Sequence, residues 1–103
     1  MRMKVNVQSV NFNISESLVN FIQNKMDNLE KFHDKIISAD VYLKVQKTSE
    51  KENKIAEVKI SIPGDELIVK KQCKTFEECI DVAADSLRRQ LKKNKEKQRT
   101  FNT

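Results

Sequence analysis

"IAEVKISIPGDELIVKKQC", Ile55 to Cys73, decides the fold. Ala56, Val58, Ile60 and Ile62 recur at every second position, with Glu57, Lys59 and Ser61 between them. A period of two marks a strand with one face on a core and the other in water. "PGDE" (63–66) is then a tight turn, in which Pro63 pre-sets φ and Gly64 supplies the positive φ that other residues avoid. "LIVKKQC" (67–73) follows as another strand, and the pair has one face that needs cover.

The chain outside this stretch supplies the cover. Residues 3–10 alternate, with Met3, Val5 and Val7 on one side and Lys4, Asn6 and Gln8 on the other. "ADVYLKVQK" (39–47) turns Val41, Leu43 and Val45 one way, and "TSEKEN" (48–53) is a polar loop. Between these strands Ser15 is placed to cap a helix, with Glu16 favourable in its first turn. Leu18, Phe21, Ile22, Met26, Leu29, Phe32 and Ile36 predict one apolar stripe on a helix of about 18 residues. "TFEE" (75–78) reads as a capping box, Thr75 with Glu78, opening a last helix whose apolar face is Phe76, Ile80, Ala83, Ala84, Leu87 and Leu91. The order is β-α-β-β-β-α. Both helices must pack on the one apolar sheet face, which predicts an α+β two-layer sandwich with a four-stranded mixed sheet. The first β-α-β unit is expected to be a parallel, right-handed crossover, followed by an antiparallel meander.

The 103 residues suffice for one small domain, expected over 1–97, with 98–103 as a short flexible C-terminal tail. One Gly and one Pro exclude a turn-rich all-β sandwich. "MRMKVNVQSV" lacks the apolar run of a signal peptide, and no segment approaches the ~18 apolar residues of a membrane span. Cys73, Cys79 and the lone His33 fit no zinc spacing, so the cysteines are expected to be reduced thiols packed as small hydrophobes. A cytoplasmic protein with no cofactor, no metal and no small-molecule substrate is expected.

The net charge of +5 is unevenly spread. Residues 87–99 hold seven Lys/Arg and one Glu, a balance of +6, and the rest of the chain balances at −1. A localised basic segment points to a polyanion. On the last helix the stripe through Leu87 and Leu91 continues to Asn94 and Gln98, both polar, so beyond Leu91 the helix has nothing to bury and should project or fray, and without RNA it is expected to fray. Arg88, Lys92, Lys95 and Arg99 share one stripe there, and Arg89, Lys93 and Lys97 an adjacent one. From Leu87 to Arg99 the helix spans about 20 Å of axis. The alternatives are a solvated helix end, whose bases complement the dipole and pair with Asp85, and a membrane or partner-helix surface.

Lys25, Lys31 and Lys35 alternate with acids on the first helix, and Lys25 joins a basic groove only if the helices lie side by side. The wet sheet face carries Lys4, Lys44, Lys59 and Lys70 with Tyr42 and Ile68, thin support for base stacking. Catalysis finds little support. His33 is expected at the surface or half-buried, with no acid or nucleophile spaced to work with it, and no phosphate-binding glycine loop occurs.

"NLEKF" (28–32), "VKISIPGDEL" (58–67) and "IDVAADSLRRQLKKNKEK" (80–97), in this element order, resemble the short form of the ribosome hibernation promoting factor family, which includes the ribosome-associated inhibitor and sigma-54 modulation proteins. The most specific part is the R-Q-L-x-K-x-K run, met by Arg89, Gln90, Leu91, Lys93 and Lys95. The resemblance implies a non-enzymatic inhibitor of translation that sits in the decoding channel of the small ribosomal subunit on its ribosomal RNA. It would compete there with messenger and transfer RNA and store ribosomes inactive under stress or in stationary phase. By position Lys25, Arg89, Lys92, Lys93 and Lys95 would be RNA contacts, and Lys31 matches the L-E-K motif. The chain departs from the family at Asn28 and Ser86, usually basic, and at Arg88, usually acidic. A general double-stranded RNA-binding module and a protein-interaction domain with a solvated basic tail are the other functional classes compatible with the residues.

Overall fold

The structure is a computed structural model. It describes residues 4–10, 12–33, 35–46 and 53–101, the last seven by their backbone alone. The elements are β1 (Lys4–Val10), α1 (Glu16–Leu29), β2 (Ser38–Val45), β3 (Lys54–Ile62), β4 (Asp65–Cys73) and α2 (Phe76–Phe101). The sheet runs β1-β2-β3-β4, parallel for the first pair and antiparallel for the other two. Met3 and most of the polar loop before β3, residues 48–52, lie outside the described residues.

Register turns the alternation into layers. Val5, Ala39, Ile60 and Leu67 stand in one row across the sheet, and Val7, Val41, Val58 and Val69 in the next. Ala39, Val41, Leu43, Ala56, Val58 and Ile60 are wholly buried. On the opposite face Gln8, Tyr42, Glu57 and Lys70 form a polar row, as period-two strands with one wet side require. Ile62 pairs with Asp65 around Pro63-Gly64, and Gly64 has φ +77, the value a type II turn needs at its third residue.

The caps fall where the side chains predict. Ser15 Oγ accepts the Leu18 N–H at 3.2 Å, and Thr75 Oγ1 accepts the Glu78 N–H at 3.1 Å. The length expected of α1 is wrong. The helix has 14 residues, and the N–H groups of Glu30, Lys31 and Phe32 then bond three residues back, to Asp27, Asn28 and Leu29. Phe32 and Ile36 continue the apolar spacing but lie beyond the helix. The tightened turn instead carries His33 into the interior, where it is 2% exposed, a second departure from expectation. No glycine or proline marks this stop, so the periodicity runs past it.

α2 buries Phe76, Cys79, Ile80, Ala83, Ala84, Leu87 and Leu91 against the sheet and α1. The Phe76 ring stacks on Phe12 from the β1–α1 connection, centroids 4.7 Å apart. Each large apolar side chain so buried stabilises by about 1.5–3 kcal/mol. Cys79 Sγ lies 3.3 Å from the Lys54 carbonyl and 3.7 Å from that of Lys71. Burial, aided by the neighbouring Cys73 thiol, pushes the Cys79 thiol up from 9.0 to about 12.

Leu87→Ala is expected to cost about 2–5 kcal/mol in urea unfolding, because it empties the α2–sheet contact, whereas Ile68→Thr on the wet face shifts stability by under about 0.5 kcal/mol. The Cys79 thiol ionises near 9.0 when unfolded and near about 12 when folded, so its stabilisation is complete below 9.0 and disappears as pH rises to about 12. The thermal midpoint of the native protein should therefore fall more steeply across that window than that of Cys79→Ala.

Candidate nucleic-acid interface

The basic segment overlaps the last turn of the apolar stripe of α2 and runs on past it. Leu91 is 0% exposed, and the helical backbone continues from it to Phe101, about 15 Å of axis. At 100° per residue Arg88 and Lys92 stand on the shoulder of α2 that faces α1, while Arg89 and Lys93 lie further round toward the β4 side. Lys93 lines a shallow depression with Gln90, Asn94 and Leu67 of β4. Lys95, Lys97 and Arg99 extend these stripes by sequence, and their side chains lie outside the described residues.

The helices do lie side by side, and a groove of about 160 Å³ runs between them. Lys25 and Arg88 line it, but so do Asp81 and Asp85. Lys25 Nζ is 2.8 Å from Asp81 Oδ1 and 5.5 Å above the Phe21 ring. Arg88 Nη2 is 2.6 Å from Asp85 Oδ1, with its guanidinium carbon 5.8 Å from the centre of the Phe32 ring. Arg89 Nη2 reaches the other oxygen of Asp85 only at 3.6 Å, and its side chain is 71% exposed. The groove is thus balanced in charge, and the described cations with a loose partner or none, Arg89, Lys92 and Lys93, stand outside it. Lys92 and Lys93 are exposed and pair with no acid among the described residues.

Lys31 is not gathered into the groove. It is exposed on the turn after α1, where its N–H bonds the Asn28 carbonyl at 3.2 Å. The wet sheet face carries both signs: Lys59 lies 3.3 Å from Glu66, and Asn6 Nδ2 donates to Asp40 Oδ1 at 3.0 Å. Tyr42, 41% exposed, pairs in register with Glu57, a poor place for a phosphate.

Two pairings escape a linear reading. Asp81 and Lys25 are 56 residues apart, and only helix packing makes them partners. His33 Nε2 lies 3.3 Å from Asn94 Oδ1, while Nδ1 accepts the Lys35 N–H at 3.2 Å. Both imidazole nitrogens are occupied and the ring is buried, so His33 is not placed for proton transfer. The polarity of Asn94, within the apolar stripe, was the one available signal.

Known proteins resemble this chain in sequence and in fold. Residues 5–99 match the model of a family described as Sigma 54 modulation protein / S30EA ribosomal protein. Over 99 residues the chain is 34% identical to the ribosome hibernation promoting factor of Pseudomonas putida, covering 96% of this chain and 93% of that one. It is 31% identical over 96 residues to the factor of the same name from Azotobacter vinelandii, covering 93% and 86%. The fold matches the crystal structure of the Thermus thermophilus Protein Y N-terminal domain with a TM-score of 0.74 at 24% identity, over 90% of this chain and 98% of that one.

The ion pairs that close the groove are exposed, and such pairs contribute about 0–1 kcal/mol each. Lys25→Ala is therefore expected to change the urea midpoint only slightly, and raising salt to 1 M should narrow even that difference.

Proposed function

The chain belongs to the Sigma 54 modulation protein / S30EA ribosomal protein family, and from that membership we propose that it is a ribosome hibernation factor that binds ribosomes and holds them inactive. The domain acts by occupation and catalyses no reaction. The bound surface is the small ribosomal subunit in its decoding channel, where the protein lies on ribosomal RNA and excludes messenger and transfer RNA. Its place of action is the cytoplasm, where ribosomes are, and no described helix is long and apolar enough to cross a membrane.

The observation that carries this is the exposed basic end of α2, standing on a neutral domain. Arg89, Lys92 and Lys93 are exposed, and Lys95, Lys97 and Arg99 follow on the same helix. These six are the primary phosphate contacts. Arg88 and Lys25 are secondary, because phosphate must displace Asp85 and Asp81 to reach them. Lys31 contributes from the turn after α1. The ribosome-binding domain is taken as 1–97, with 98–103 as its C-terminal tail.

Counterion release makes such binding steep in salt. Each phosphate contact contributes about 0.7–0.9 to the slope of log K against log salt. A neutral channel contact would show almost none.

Arg89→Glu with Lys93→Glu should abolish co-sedimentation with small subunits at moderate salt and leave the thermal midpoint nearly unchanged, since neither side chain lies on the apolar stripe. Single Lys→Ala changes at 92 or 93 should each lower the salt slope by about 1. Undiminished association of the double variant would overturn the site. Equal affinity for arbitrary RNA duplexes, without competition from initiator transfer RNA, would replace ribosome binding by general duplex binding.

A further inference from the structure

We propose that His33 and Asn94 form a clamp that sets the direction in which the basic end of α2 leaves the domain, making both positioning residues for ribosome binding. The proposal rests on the assignment of α2 as the ribosome contact.

Leu91 is the last apolar residue of α2's buried stripe, and a helix held there alone could swing about its final turn. Asn94 falls on the same side three residues on. A polar residue at that place normally turns to water, yet Asn94 is half-buried, with its Oδ1 3.3 Å from His33 Nε2. The partner is unusual in its own setting, for His33 is the one buried polar side chain among the described residues.

The protonation of the ring follows from its neighbours. Nδ1 faces the Lys35 N–H, which can only donate, so Nδ1 holds a lone pair. The ring proton is then on Nε2, and Nε2 donates to Asn94 Oδ1. With both nitrogens engaged by different segments, the imidazole has one orientation. A hydrogen bond has direction, which apolar contact lacks, so it fixes the rotation of α2 as well as its closeness.

The adjacent residue adds a second hold. Phe32 packs beneath Arg88 at 5.8 Å, so consecutive residues of the turn after α1 touch α2 at positions 88 and 94, about 9 Å apart along its axis. Lys92 and Lys93 lie between those two points. The early stop of α1 at Leu29 is what lets the turn straddle α2; an α1 continued to Ile36 would carry His33 on a helix face instead.

The test uses the full chain and two variants. Asn94 is half-buried, so Asn94→Ala removes the bond without emptying the core. Amide residual dipolar couplings for 95–101 should then depart from the alignment that fits 80–90. Affinity for small ribosomal subunits should fall roughly three- to tenfold, the scale of one hydrogen bond. His33→Gln keeps an N–H donor near the Nε2 position and should retain both couplings and affinity. Couplings unchanged in Asn94→Ala would overturn the clamp, whatever the ribosome assay gives. Altered couplings with undiminished affinity would overturn the positioning role. Loss of affinity in Arg89→Glu with Lys93→Glu, but not in Asn94→Ala, would overturn the positioning role and leave α2 as the contact.

Discussion

Everything in this domain depends on how far the apolar stripe of α2 reaches. From Phe76 to Leu91 the helix lies on β3 and β4 and beside α1, and its side chains fill the space above Val58, Ile60 and Val69. That contact joins the two helices to one sheet face. It also sets where the helix stops being part of the core. A stripe one turn longer would put an apolar side chain at the position now held by Asn94, and the packed part of the helix would reach further into its basic segment. Fold and site are thus two halves of one helix, divided by where the leucines end.

The division is electrostatic as well as hydrophobic. Acids crowd the first turns of α2 and bases its last ones, in the sense that the helix dipole favours. Asp81 and Asp85 lie between these blocks and reach across to Lys25, Arg88 and Arg89. A phosphate approaching the groove therefore meets cations that already have partners, and one approaching the outer shoulder meets Arg89 and Lys93 with little or no compensation. Exposed pairs are weak enough to exchange for phosphate. In the proposed binding mode the order of engagement runs from the outer shoulder to the groove, which suits a ligand with many spaced phosphates better than a single anion.

Stability and binding make separate demands here. The sheet interior, with its rows of Val, Ala and Ile in register, carries the folding energy and none of the proposed contacts. The basic side chains can be changed with little effect on the core, and the core can be weakened without touching them. The turn after α1 is where the two meet, because Phe32 and His33 belong to the packed interior and yet touch the helix that carries the charge.

Much of this was legible in the residues. Period-two alternation, a Pro-Gly turn, Ser15 and Thr75 as caps and two amphipathic stripes specify local structure, since each acts within a few residues and needs no partner elsewhere. One wet face per strand then leaves a single place for both helices. The excess of bases after Ser86 was equally plain, because charge is additive along a chain. The end of α1 was not legible, since Phe32 and Ile36 keep the helical spacing and no breaker stands between them and Leu29. Nor was the charge state of the groove, where Lys25 meets its acid 56 residues away. His33 was misplaced for the same reason: a lone histidine gains a buried role only from what packs around it, here Asn94 and the Lys35 backbone. By itself the sequence determined the elements, their order, the face they share and where the positive charge collects, all set by short-range periodicity and composition. Only the tertiary structure decided which cations have counter-ions and which residues of the turn after α1 meet the basic helix, because those are contacts between distant segments that exist once the helices are packed side by side.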